Sequence, residues 1–168
     1  MKVSLQKVTP TERQTLWNLL QYMIFETSPY GNNEIKSDGT FSYKYFDKYF
    51  TDDDRIAFLI RNERNNLLGF VMINQYLQKT ESGHAIAEFM ILPRFRRQGI
   101  GREVAKQCFS LFSGNWEVQP APGSETAYKF WKNVIDELTG KDNQSVDGIF
   151  VFQSKKMNDD CLPENCHE

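Results

Sequence analysis

Apolar and polar residues alternate from Lys2 to Val8, which predicts a first strand. The period then lengthens. Leu16, Leu19, Leu20 and Met23 recur at the spacing of one helix face, and Thr9-Pro10-Thr11-Glu12 ahead of them reads as the start of that helix. The pattern fades by Ser28-Pro29, and Tyr30 to Gly39 is polar and loop-like. Phe41 to Phe50 is crowded with aromatic residues. Phe46, Tyr49 and Phe50 sit at helical spacing there and predict a short helix. These rings are either core packing beneath a long connection or one wall of a substrate pocket.

Ile56 to Arg61 and Leu67 to Gln78 are apolar runs separated by Asn62-Glu63-Arg64-Asn65-Asn66, the pattern of a hairpin. A second turn, Lys79 to Gly83, leads to an apolar strand from Ala85 to Leu92. After Pro93 and a glycine-containing loop comes a helix with Ile100, Val104, Cys108, Leu111 and Phe112 on one face, ending at Gly114. Trp116 to Gln119 is a short strand broken by Pro120-Ala121-Pro122-Gly123. Ser124 can cap the next helix, along which Ala127, Trp131, Val134 and Leu138 recur. Gly148 to Ser154 is a final strand. The order β-α-(α)-β-β-β-α-β-α-β predicts an α/β (α+β) fold with a central mixed, mostly antiparallel sheet flanked by helices.

The stretch Arg96-Arg97-Gln98-Gly99-Ile100-Gly101-Arg102 carries the clearest chemistry. A strand running through a glycine turn into a helix presents backbone N–H groups without internal partners, and these can bind an anion. Glycines allow close approach, and three arginines add positive charge. Two familiar phosphate loops do not fit. The dinucleotide fingerprint needs a glycine where Val104 stands, and the P-loop needs Gly-Lys-Ser/Thr where Gly101-Arg102-Glu103 stands. The bare alternative is a helix start with incidental glycines.

Arg96-x-x-Gly99-x-Gly101 resembles the R/Q-x-x-G-x-G/A pattern of the GNAT acyl-CoA N-acyltransferases, and Ile91-Leu92-Pro93-Arg94-Phe95 resembles that family's approach to the loop. The element order is similar across nearly the whole chain. Ser124-x-x-Ala127-x-x-Phe130-Trp131 looks like the family's late helix, usually Asn-x-x-Ala-x-x-hydrophobic-Tyr. The resemblance implies acetyl transfer from acetyl-CoA, as acyl-donor cosubstrate, to a primary amine of a small molecule or protein, without a metal. It implies that Arg96, Arg97, Gln98, Gly99, Ile100, Gly101 and Arg102 hold the pyrophosphate. The backbone of Phe89, Met90 and Ile91 would line the pantetheine arm, with Ser124 and Trp131 beside it. Trp131 replaces the usual tyrosine acid, and indole cannot usefully release its proton. Tyr128, one turn away, is the substitute candidate.

Acyl transfer to an amine needs a base, because an alkylammonium of pKa about 10.4 cannot attack while protonated. Glu88 lies within Ile86-Ala87-Glu88-Phe89-Met90, where a charge is costly unless it is paired or faces a wet cleft. Glu117, on the following strand, is the other candidate. Either can instead be an exposed or arginine-bonded carboxylate. Glu26, Glu34, Asp38 and Asp52-Asp53-Asp54 make the expected acceptor side acidic, although such runs also occur simply as solvated charge.

Composition narrows the alternatives. The chain has 168 residues, 40% hydrophobic and 25% charged, with a net charge of −2. These values fit an ordinary globular domain, expected over residues 1–156 with a polar tail at 157–168, and argue against bulk nucleic-acid binding. No apolar run approaches membrane-spanning length, so a cytoplasmic monomer or homodimer is expected. Cys108, Cys161 and Cys166 fit no disulfide framework or zinc site. The competing function is a non-catalytic acyl-CoA-binding or regulatory module on the same fold. A nucleotide- or phosphosugar-binding enzyme rests on the loop alone.

Overall fold

A computed structural model describes residues 2–155. The expected tail at 157–168, with Cys161 and Cys166, lies outside them. The strands are β1 (Val3–Lys7), β2 (Arg55–Asn62), β3 (Leu67–Asn74), β4 (His84–Ile91), β5 (Gly114–Val118), β6 (Asn143–Val146) and β7 (Ile149–Ser154). The helices are α1 (Arg13–Thr27), α2 (Ile100–Leu111) and α3 (Glu125–Thr139). The strands form one sheet in the order β1-β2-β3-β4-β5-β7-β6. Every neighbouring pair is antiparallel except β4 and β5, which run parallel. This is the mixed, mostly antiparallel sheet that the pattern predicts. Among the described residues, no helix is long and apolar enough to cross a membrane.

Each face of the sheet is covered. Ile60, Val71, Ile73 and Ile86 pack with Val104, Cys108 and Phe109 of α2 and Trp131, Val134 and Ile135 of α3. On the other face, Leu59, Phe70, Met72 and Met90 pack with Leu16, Leu20 and Ile24 of α1 and with Phe41, Phe46 and Tyr49. The aromatic segment is therefore core. Tyr43 within it also lines the main cleft. The segment is pinned to α1 by Gln21, whose Oε1 accepts the Phe41 N–H at 2.6 Å while its Nε2 donates to the Phe41 carbonyl at 3.1 Å.

Several local expectations shift. The Thr9 capping box forms, but it caps a single 3-10 turn, Pro10–Glu12, ahead of α1. Phe46–Phe50 is likewise a 3-10 turn. β3 stops at Asn74 instead of Gln78, and the Gln75 N–H turns to the Asp54 carbonyl. β6 was not expected. Its sequence, Asn143-Gln144-Ser145-Val146, is polar and mostly exposed because it is the sheet edge. It joins β7 through Asp147-Gly148, both at positive φ, a turn suited to a tight hairpin. Gly69 on β3 has a packing reason: a Cβ there would lie 2.0 Å from the Met90 carbonyl oxygen.

Candidate active site

β4 pairs with β5 from His84↔Trp116 only as far as Ile86↔Val118. β4 then runs on to Ile91, whereas β5 ends before Pro120, which has no N–H to offer a ladder. The strands splay, and a cleft of about 1250 Å³ opens between them. Phe89, Met90 and Ile91 all line it. The Phe89 side chain points toward α3, 4.9 Å from the Trp131 ring, while that of Met90 belongs to the opposite core.

The glycine loop lies at one end of this cleft. The Glu103 N–H donates to the Gly99 carbonyl at 3.1 Å, the first helical bond of α2. The N–H groups of Ile100, Gly101 and Arg102 therefore precede the α2 ladder, an arrangement able to accept an anion. Gly99 has a φ of 78°, and a side chain there would meet nothing within 4 Å. Gly101 is tight instead: a Cβ would lie 3.2 Å from the Phe130 ring of α3. Together the open turn, the orphan N–H groups and the splayed strands fit a long phosphate-bearing thioester. Two expected loop residues turn their side chains elsewhere. Ile100, the first residue of α2, is buried in the core between that helix and the sheet, and the Gln98 Nε2 donates to the Arg94 carbonyl at 3.1 Å.

The arginines are more engaged than their sequence suggests. Arg96 donates from Nε to the Ile91 carbonyl at 2.7 Å and grips Glu26 of α1 with both terminal nitrogens, Nη2 to Oε2 being 2.6 Å. Glu26 is thus no free acceptor-side carboxylate, and this bond holds it below the usual carboxylate range. Arg102 pairs with Glu137 at 2.7 Å. Among the described residues no carboxylate pairs with Arg97, which lines the cleft at a φ of 58°.

Glu88 also lines the cleft. The β3–β4 register slips at this point: Met72 faces Glu88, but Ile73 faces Ile86, leaving Ala87 as the extra residue of a bulge. The bulge puts Ile86 and Glu88 on opposite faces of the sheet. Ile86 enters the α2–α3 core, and Glu88 turns toward the aromatic segment, whose Tyr43 lines the cleft with it. Burial raises the Glu88 carboxyl to about 7, with the neighbouring Tyr43 hydroxyl opposing the shift.

The other expected residues sit differently. Glu117 is 3% exposed, and its carboxylate accepts the N–H groups of Gln78, Lys79 and Thr80, each at 2.8 Å, and the Thr80 hydroxyl at 3.0 Å. Burial pushes its pKa up, but these bonds together outweigh burial and hold it low. Its lone pairs fasten the β3–β4 loop. Tyr128 is not among the cleft residues; its ring lies tilted against that of Phe150 of β7, 5.2 Å between centroids. Trp131 lines the cleft but is 6% exposed, edge-on to Phe89 and Phe130. The Ser124 oxygen accepts the Ala127 N–H at 3.2 Å and so caps α3. Neither the bulge nor the Glu26–Arg96 pair was anticipated.

Residues 19–132 match the model of the acetyltransferase (GNAT) family. The chain belongs to that family. An acetyltransferase from Thermus thermophilus is similar over 91% of this chain and 97% of its own, at 14% identity and a TM-score of 0.68. A Vibrio cholerae spermidine N-acetyltransferase, solved with CoA and spermine, is similar over 92% and 96%, at 12% identity and a TM-score of 0.61. An aminoglycoside antibiotic 6'-N-acetyltransferase from Acinetobacter baumannii is similar over 79% and 89%, at 10% identity and a TM-score of 0.57. At these identities the likeness concerns the GNAT fold. No match was found among curated proteins.

Proposed function

We propose that this GNAT chain moves an acetyl group from acetyl-CoA to a primary amine of a small molecule or protein, with Glu88 as the general base. The observation carrying this reading is Glu88 itself: a carboxylate in an apolar strand, turned by a bulge to the point where β4 leaves β5, and lining the cleft that opens there.

Bound acetyl-CoA supplies an electrophilic thioester carbonyl. The N–H groups at the start of α2 hold its pyrophosphate, with Arg97 adding charge. The β4 edge from Phe89 to Ile91 offers backbone donors for the arm and for the charge that develops on the attacked carbonyl. Glu88 takes the proton from the ammonium as the amine attacks. A carboxyl near 7 is ionised above neutrality, yet stands closer to the ammonium's pKa of about 10.4 than an ordinary carboxylate does. The upward shift from 4.5 removes about 3 kcal/mol from the uphill proton transfer. Glu117, saturated with donors, is the loop anchor in this scheme.

The test follows free thiol during incubation with acetyl-CoA and an amine panel. Glu88→Gln should retain acetyl-CoA binding and lose turnover by about 100-fold or more. Full turnover by that variant at neutral pH rejects Glu88 as base. The binding-module reading keeps one supporting observation, the lack of an α3 phenol in the cleft. Tight acetyl-CoA binding without thiol release for any amine favours it.

A further inference from the structure

Tyr76 lines the main cleft from the loop that follows β3, and it is 54% exposed. It is nevertheless held by its backbone and by its ring. Its N–H donates to the Asn74 Oδ1 at 3.0 Å. Its hydroxyl donates to the Asp54 Oδ2 at 2.7 Å and accepts from the Arg55 Nη1 at 2.9 Å. The Arg55 guanidinium also lies over the ring, 4.0 Å from its centroid. Arg55 is buried and is fixed in turn by Asp54 at 3.1 Å, by Asp52 at 3.6 Å and by the Tyr45 ring at 5.2 Å. A ring this exposed adds little to the core, while holding it still costs side-chain entropy. Such ordering brings a return when a ligand meets a surface already set in place.

The strand register shows where Tyr76 stands along the cleft. Gly69 faces Ile91 beside the glycine loop, Met72 faces Glu88, and Asn74 faces Ala85. Tyr76 therefore lies beyond Glu88, at the end away from the phosphate-binding loop. Between the strands, the cleft stops where Ile86 pairs with Val118. A thioester arm entering from the loop ends near Glu88, and the space past it, on the side of the aromatic segment, is left to the acceptor.

We infer that Tyr76 is a specificity-determining residue, whose fixed ring walls the acceptor end of the cleft and selects a primary amine carried on an apolar, planar body such as a phenyl ring. The inference rests on the acetyl-transfer reading. The hydroxyl's single proton is committed to Asp54 and one ring face to Arg55, so ring carbon is what Tyr76 chiefly offers an acceptor. The nearby carboxylates do not call for a second ammonium. Asp54 and Asp52 pair with Arg55, and Asp52 also with Lys48 at 3.4 Å. Their charge is balanced beside the ring.

The test compares 2-phenylethylamine, ethanolamine and 1,4-diaminobutane as acceptors, following free thiol with acetyl-CoA. In the unmodified protein kcat/KM for 2-phenylethylamine should exceed that for each of the others by about 10-fold or more. Tyr76→Ala should reduce this preference by about 5-fold or more, chiefly through KM for 2-phenylethylamine, with KM for acetyl-CoA unchanged. Tyr76→Phe keeps the ring but frees it from Asp54 and Arg55. It should raise KM for 2-phenylethylamine about 2- to 3-fold, and it serves if Tyr76→Ala folds poorly. Thiol release that is as fast or faster with ethanolamine or 1,4-diaminobutane overturns the inference and leaves acetyl transfer standing. So does a preference unchanged in the folded variants. A protein that releases no thiol with any amine overturns the acetyl-transfer reading and the inference with it.

Discussion

Arg96 of the glycine loop and Glu26 at the end of α1 are joined by a two-point ion pair, and the same guanidinium also donates to the Ile91 carbonyl. One side chain thus ties together the end of β4, the loop before α2 and the helix bordering the other side of the cleft. In the proposed scheme it holds the loop's shape, and the backbone and Arg97 face the phosphate. Both side chains are over a third exposed, so solvent screening limits the worth of the pair. Glu26→Gln is expected to raise KM for acetyl-CoA about 2- to 5-fold with kcat unchanged. Arg96→Ala should raise it further, since the bond to Ile91 is lost as well. Steady-state kinetics decide the matter; unchanged KM values in both variants reject this role.

Glu117 makes a stability prediction instead of a catalytic one. Its four hydrogen bonds fix the segment Gln78–Thr80 against β5, and replacing one carboxylate oxygen by an amide sets a donor against N–H donors. Glu117→Gln is expected to cost about 2–4 kcal/mol at pH 7. The folded pKa lies below the ordinary 4.5, so the folded state binds fewer protons than the unfolded chain in that range. The stabilisation is complete above 4.5 and is lost as pH falls through the folded value. Urea unfolding of both proteins at pH 7 and near pH 3 should show the gap between them narrowing in acid.

Sequence pattern reached the elements whose periodicity is strong. α2 and α3 announce themselves by apolar stripes, and the Gly99–Gly101 loop by its place between a strand and a helix. Edge strand β6 carries no alternation because neither of its faces is fully buried; only Asp147-Gly148 signalled it. The Ala87 bulge left no mark, since alanine fits bulged and regular strands alike, yet it decides which way Glu88 faces. Partnerships such as Glu26 with Arg96, or Tyr43 with Glu88, join segments far apart in sequence. A one-dimensional pattern can show that each residue is charged or aromatic, but not which distant residue the sheet brings to it.

The helix α3 supplies a control. Tyr128 lies tilted against Phe150 outside the cleft, whereas Trp131 is wedged between Phe89 and Phe130. Tyr128→Phe keeps the ring and should leave kcat and the pH profile as they are. Trp131→Ala should cost about 3–5 kcal/mol of stability through the cavity it leaves. Thermal unfolding and thiol-release assays on the two variants separate these roles. A large loss of turnover in Tyr128→Phe restores that phenol as the acid.

Glu88 joins activity and stability with opposite signs. As the base it works ionised, so kcat/KM should rise with pH through about 7. Tyr43→Phe removes the hydroxyl that opposes the effect of burial and should move this limb to higher pH. For folding the sign reverses. The folded pKa of about 7 exceeds the ordinary 4.5, so between these values the folded state binds more protons than the unfolded chain, and stability falls as pH rises. Above 7 the cost is complete. Glu88→Gln removes it, and at pH 8 the variant should be more stable than the unmodified protein by roughly 1–3 kcal/mol while nearly inactive. Near pH 4 the two should unfold alike. Melting curves at pH 4 and 8 beside thiol-release rates test both signs at once. A variant less stable at pH 8 means that the ionised carboxylate is held by bonds strong enough to outweigh its burial, and the acid limb near 7 should then be absent as well.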